Sequence, residues 1–177
     1  MKDVQTGLIF SPIPKDYVKG IWPSVAKVLK KSVSTAKGKY EVDDVLDCIL
    51  KDELVLWVVI DTANDDIVAA ITTRLIEYPQ GNAMAMDWIG GTRMKEWLSM
   101  AQERIAHYAK IHNCKYLEGY GRKGWGRWLR KYGWKPDYIA YKMELWKLDP
   151  MKAHGAPLTL HVASPKIKPA KAAIFFV

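Results

Sequence analysis

Residues 54–60 are Leu54, Val55, Leu56, Trp57, Val58, Val59 and Ile60, seven apolar side chains in a row, four of them β-branched. Branching at Cβ disfavours helix and suits a pleated surface, so an unbroken apolar run of this length reads as a buried strand. The polar residues 62–66 then give way to a second strand over 67–76, and the two make a hairpin. Tyr78, Pro79, Gln80 and Gly81 break the chain before another short strand over 83–89, which ends at Gly90 and Gly91. Beyond it Met94, Trp97, Leu98, Ala101, Ile105, Tyr108 and His112 fall along one stripe, while Lys95, Glu96, Glu103 and Lys110 take other faces. That spacing predicts a long amphipathic helix.

The flanks complete the order of elements. Residues 1–13 read as a short strand around Leu8, Ile9 and Phe10, ended by Ser11, Pro12, Ile13 and Pro14 because proline has no N–H for a ladder. Val18, Ile21, Trp22, Val25, Leu29 and Val33 recur at helical steps, and Pro23 predicts that the regular helix begins close to it. Gly38 ends that region. Val42, Val45, Leu46, Ile49 and Leu50 trace a second helix, with Asp43 or Asp44 as its cap. Downstream, residues 114–118 suit a strand, residues 125–132 a short basic helix closed by Gly133, and residues 134–146 a final strand interrupted near Pro136 and Asp137. The result is one mixed α/β domain over residues 1–148. After it, four prolines and four lysines predict an extended tail over 149–177. The tail ends on the apolar Ile174, Phe175, Phe176 and Val177.

Composition narrows the function classes. At 177 residues, with 49% of them apolar and with eight Trp and nine Tyr, the chain can bury a sizeable core without disulfides or metals. Cys48 and Cys114 form no CxxC pair, and His107, His112, His154 and His161 show no i,i+4 pair or neighbouring acidic set, so no metal site is expected. The order of features that marks a signal peptide is lacking, and no apolar stretch is long enough to span a bilayer, so neither secretion nor a membrane partner is expected. No Gly-x-Ser-x-Gly elbow or phosphate-binding GxxxxGK[ST] loop is present. The formal charge of +8 favours anionic partners without naming one.

The element order and the turn at Asp87, Trp88, Ile89, Gly90, Gly91 and Thr92 resemble the GNAT acetyltransferases over residues 7–148. The resemblance implies an α+β mixed sheet with the acyl-CoA N-acyltransferase layout, acetyl-CoA as donor and an amine as acceptor. In that family Arg or Gln, two residues, Gly, one residue, and Gly or Ala aim backbone N–H groups and a helix N-terminus at a pyrophosphate. Here Ile89, Gly90, Gly91, Thr92 and Arg93 would form the cradle, with Arg122 and Arg127 as further phosphate contacts. Asp87 stands where the family has Arg or Gln and reverses the sign, and Arg93 compensates. The alternative is a simple glycine turn capped by Thr92. The family's Tyr-x-x-x-Gly-Phe pattern supplies the acid for the departing thiolate. Leu129 stands in the tyrosine's place before Gly133 and Trp134, which leaves Tyr120, Tyr132 or Tyr138 for that role. Glu77, Asp87 and Glu118 are candidate bases, each with the alternative of a solvated or paired carboxylate.

A closer resemblance is to small GNAT-like proteins of tailed bacteriophages. It rests on Ile21-Trp22-Pro23, Leu56-Trp57, Thr72-Thr73, Tyr78-Pro79, Gly90-Gly91, Trp97 and the run Gly121-Arg122-x-Gly124-Trp125-x-Arg127-x-Leu129-x-x-x-Gly133-Trp134. It implies a location in host cytoplasm or virion. It also implies a second function class, a non-catalytic virion or assembly protein that packs against other phage structural proteins.

Arg122, Lys123, Arg127, Arg130, Lys131 and Lys135 interleave with Trp125, Trp128 and Trp134. On a helix Trp125, Trp128, Leu129 and Tyr132 share one face, which reads as a buried aromatic stripe behind a solvated basic face. Two other readings stay open: basic residues on coenzyme phosphates, and nucleic-acid binding with a Trp stacked on a base.

Overall fold

The computed structural model describes residues 7–121, 123–137 and 139–144, and the backbone of residues 175–176. The elements are β1 (Leu8–Ile13), α1 (Lys15–Ser34), α2 (Val42–Leu50), β2 (Val55–Asp61), β3 (Asp66–Tyr78), β4 (Gly81–Gly91), α3 (Met94–Ile111), β5 (Cys114–Glu118), β6 (Tyr120–Gly121), α4 (Gly126–Leu129) and β7 (Phe175–Phe176). Short 3₁₀ turns, Lys123–Trp125 and Arg130–Tyr132, flank α4. The chain divides into two units, Met1–Trp134 with Ala173–Val177, and Lys135–Ala172. In the second unit the described residues form no helix or strand. The strand expected over 134–146 is therefore not found among them. A strand needs a ladder partner and a face to bury, and Ile139, Tyr141 and Met143 stay exposed.

In the first unit the sheet has the order β1-β2-β3-β4-β5. Its first three junctions are antiparallel and β4 pairs with β5 in parallel. Period-two alternation divides the side chains between two cores. Trp57, Val59, Ile71, Met84 and Met86 bury one face against Trp97, Leu98, Ala101 and Ile105 of α3 and against Trp125 and Leu129. Leu56, Val58, Ala70 and Trp88 bury the other against Val18, Trp22, Val25, Leu29 and Val33 of α1 and Val45 and Ile49 of α2. The buried run at residues 54–60 is the strand with both faces covered.

Local rules yield to packing at two prolines. Pro12 lies inside β1, opposite Trp57; an edge strand accepts a proline because the missing N–H can face away from its one neighbour. The helix does not begin near Pro23. It starts at Lys15 and carries Pro23 in its interior, at a cost of about 3 kcal/mol relative to alanine. Burial of Val18 and Trp22 in the turns before the proline offsets that cost. At α2 the cap residue is Glu41, whose N–H donates to Asp44 Oδ2 at 2.7 Å, so Asp44 does help close the helix start, from its first turn. Gly133 closes the last 3₁₀ turn in the left-handed conformation, at φ 82°.

Candidate active site

β4 is where the sheet opens. Its ladder with β5 covers only Asn82, Ala83, Met84 and Ala85, ending at Ala85 opposite Glu118, whereas β4 itself runs on to Gly91. On its other side Ile71 faces Ile89 and Thr73 faces Met86, so Asp87 and Trp88 together oppose Thr72. This is a β-bulge, which bends and twists the strand that carries it. Thr72 Oγ1 accepts the Trp88 N–H at 3.1 Å and supports the displaced backbone. β6 follows β5 after Gly119 but belongs to a separate two-stranded sheet with β7.

The bulge carries a buried charge. Asp87 is 1% exposed, and its carboxylate accepts from Arg74 Nε at 3.0 Å and Nη2 at 3.3 Å. Burial raises the Asp87 carboxyl above its ordinary value, Arg74 opposes that rise, and the negative charge of Glu118 adds to it. Tyr40, from the α1–α2 connection, packs edge-on against Trp88 with ring centroids 5.5 Å apart. Its hydroxyl is pushed up, first by burial. At the end of β5, half-buried Glu118 accepts the Tyr78 hydroxyl at 3.0 Å. The structure therefore gathers Asp87 and Glu118 with Arg74, Tyr40 and Tyr78. Glu77 is exposed, and strand alternation turns it to the face opposite Tyr78.

The residues expected to form the phosphate cradle lie at the end of β4 and just beyond it. A Cβ on Gly90 would lie 2.2 Å from Val28 O, and one on Gly91 would lie 2.3 Å from Val68 O, with Gly91 at φ 133°. Both glycines let backbone pass close by, α1 at Gly90 and β3 at Gly91. Ile89 is buried in the α3-side core. Thr92 does not cap α3: its N–H extends the ladder to Val68 O at 2.8 Å and its carbonyl accepts Trp97 Nε1 at 2.7 Å. The cap position is Arg93 at φ 56°, and no side chain bonds back to the helix start. The Arg93 guanidinium is held by Asp61 and by Glu96. Asp61 sits below its ordinary value, through the Ala63 N–H first and Arg93 second.

α3 thus begins without a side-chain cap, and two ammonium groups lie over the ring of Trp128. Lys95 in its first turn lies 5.7 Å from the Trp128 ring centroid, and Lys131 lies 5.3 Å from the same ring. The aromatic stripe is only partly buried. Trp125 and Leu129 enter the core and Trp128 is half-covered, while Tyr132 is exposed. Arg127 is exposed on α4; Arg122 and Tyr138 lie outside the described residues. Of the tyrosines considered for the acid, Tyr120 is on β6, where the chain leaves β4.

Sequence reasoning passed over Arg74, Tyr40 and Tyr78. Arg74 had a signal: it is the one charge in the otherwise uncharged run 67–76, and a charge inside a buried strand needs a partner. Among the described residues no group of three or more His, Cys, Asp or Glu is placed to hold a metal, and no helix is long and apolar enough to cross a membrane.

No family model matches the chain, and no curated protein matches it in sequence. Solved structures do match. A predicted acetyltransferase from Clostridium acetobutylicum, solved with acetyl-CoA, aligns with a TM-score of 0.61 and 14% identity over 80% of this chain and 98% of its own. Glucosamine-6-phosphate N-acetyltransferase from Arabidopsis thaliana aligns at 0.57 and 14%, over 78% and 98%. A GNAT family acetyltransferase from Staphylococcus aureus aligns at 0.54 and 12%, over 78% and 98%. The chain has the fold of the GNAT acetyltransferases.

Proposed function

We propose that the protein is an acyl-CoA-dependent N-acyltransferase that takes its donor in the opening where β5 leaves β4. One observation carries this reading: β4 continues past its last β5 partner, through the Asp87–Trp88 bulge, to an uncapped helix N-terminus. The strand edge left without a β5 partner suits the amides of an extended donor arm, and the helix start suits its phosphates. Lys95 strengthens the phosphate assignment. A lysine in the first turn opposes the helix dipole, and Lys131 adds a second cation beside the same ring. An anion at the helix start would relieve the Lys95 charge.

The donor supplies an activated thioester. The chain's own part is to hold and orient the two substrates and to accept a proton. Glu118 is the residue for the proton of the acceptor amine, because its hydrogen bond comes from the Tyr78 hydroxyl and not from a cation. Asp87 serves Arg74 instead and keeps the bulge in shape. Tyr120 on β6 replaces the family tyrosine, and Leu129 is left to the core.

Calorimetry with acetyl-CoA tests the binding. Lys95→Glu and Lys131→Glu are each expected to weaken it about tenfold, equivalent to roughly 1.4 kcal/mol, with the loss shrinking as salt is raised. No saturable heat up to millimolar donor, with or without the tail substitution described below, overturns the reading. Where binding occurs, thiol release against a panel of amines identifies the acceptor.

A further inference from the structure

β7 is made of residues from the end of the chain. It pairs in parallel with β6, Tyr120 opposite Phe175 and Gly121 opposite Phe176. It also comes within 8 Å, Cα to Cα, of both β4 and α1. β4 and β6 are not partners: the ladder between β4 and β5 stops at Ala85 and Glu118, and β6 belongs to another sheet. A strand that pairs with β6 while lying beside β4 stands in the space into which those two strands diverge.

We infer that this opening is a strand-accepting groove whose occupant is the chain's own C-terminal end, so that Phe175–Phe176 and the acyl donor compete for one place. The inference rests on the donor reading above for its second half only. An exposed β edge takes an extended backbone readily, because ladder hydrogen bonds need no particular side chain. The occupant is short, and each backbone hydrogen bond contributes only about 1 kcal/mol net. Tethering compensates. A segment joined to the same chain acts at an effective concentration of the order of millimolar, and closing a long loop costs little more than closing a short one. Occupancy of this strength lowers the apparent affinity for a competitor by the fraction of molecules that are open, without abolishing it.

The test replaces Phe175 and Phe176 together by proline in the full-length chain, which removes both N–H groups of β7. Two quantities are compared with the unchanged protein: amide hydrogen exchange at residues 120–121, the ladder partners of β7, and acetyl-CoA binding by calorimetry. The double variant is expected to exchange about tenfold faster at those amides and to bind the donor about three- to thirtyfold more tightly. A synthetic peptide of residues 171–177 added to it should restore the weaker binding. Unchanged exchange overturns the inference, whatever the affinity does. Faster exchange with equal donor affinity in the two proteins overturns the competition. Faster exchange with no donor binding in either protein leaves the strand in its groove and removes the acyltransferase reading instead.

Discussion

Gly90→Ala is expected to destabilise the protein by about 3 kcal/mol or more, at the upper end of what overpacking costs. The new methyl would stand 2.2 Å from Val28 O, 3.0 Å from Val28 C and 3.2 Å from Leu29 Cα. All three are backbone atoms, so no rotamer change relieves the clash. α1 cannot simply retreat, because Val25, Leu29 and Val33 are buried against the sheet on the same stretch of helix. Urea unfolding measures the loss. Gly20→Ala is the control: it lies in α1 with nothing within 4 Å of the added carbon, and alanine there is expected to stabilise by about 1 kcal/mol. The comparison also separates two roles for the glycine turn. If Gly90→Ala left stability unchanged and abolished donor binding, the glycine would be a phosphate cradle; loss of stability makes it the seat of α1.

Arg74→Met is expected to cost about 3–5 kcal/mol, the usual penalty for leaving one half of a buried ion pair without its partner. Asp87 has almost no exposed surface and both its oxygens face Arg74. Replacing both residues, Arg74→Met with Asp87→Leu, should recover most of the loss, since two apolar groups of similar volume leave no charge to desolvate. The single variant should also show a pH dependence of definite sign. Burial already raises the Asp87 carboxyl, and without the arginine it rises further. A folded-state value above the unfolded one gives stability that is present at low pH and lost as pH rises through the folded value. Arg74→Met should therefore be least destabilised in mild acid and most destabilised near neutrality. A flat difference between the two proteins across that range would mean that Asp87 is not buried as a charge.

The two predictions concern residues that the chain's local pattern described unequally. α3 was legible at both ends: its apolar stripe from Met94 and its final strand partner at residues 114–118 follow from spacing alone, and both elements appear there. β2 and β3 were legible for the same reason, because branched apolar side chains and period-two alternation are local properties. The α2 cap was only partly legible. An acidic residue at the helix start is visible in the sequence, but which of Glu41, Asp43 and Asp44 faces the orphan N–H groups depends on where the first turn closes.

The candidate site was legible as a short list and not as an arrangement. Asp87 and Glu118 could be named because they sit near strand ends. Their partners Arg74 and Tyr78 lie on another strand, so the pairing is set by the register between β3 and β4 and by the end of the β4–β5 ladder. Gly90 and Gly91 look the same in sequence whether they admit a phosphate or the backbone of a neighbouring element. Lys95 falls on the polar side of its helix and reads as an ordinary solvated charge until Trp128 and Lys131 come beside it.

By itself, then, the sequence determined the helices and strands from β1 to β5, their order, and hence the mixed α/β class, because side-chain periodicity and turn chemistry act over a few residues. Tertiary structure alone decided that Pro23 is carried inside α1, that Asp87 belongs to Arg74, that the glycines seat backbone, and that the backbone of Phe175–Phe176 pairs with β6. Each of these is a balance struck between segments far apart in the chain, where burial and close contact outweigh the local preference.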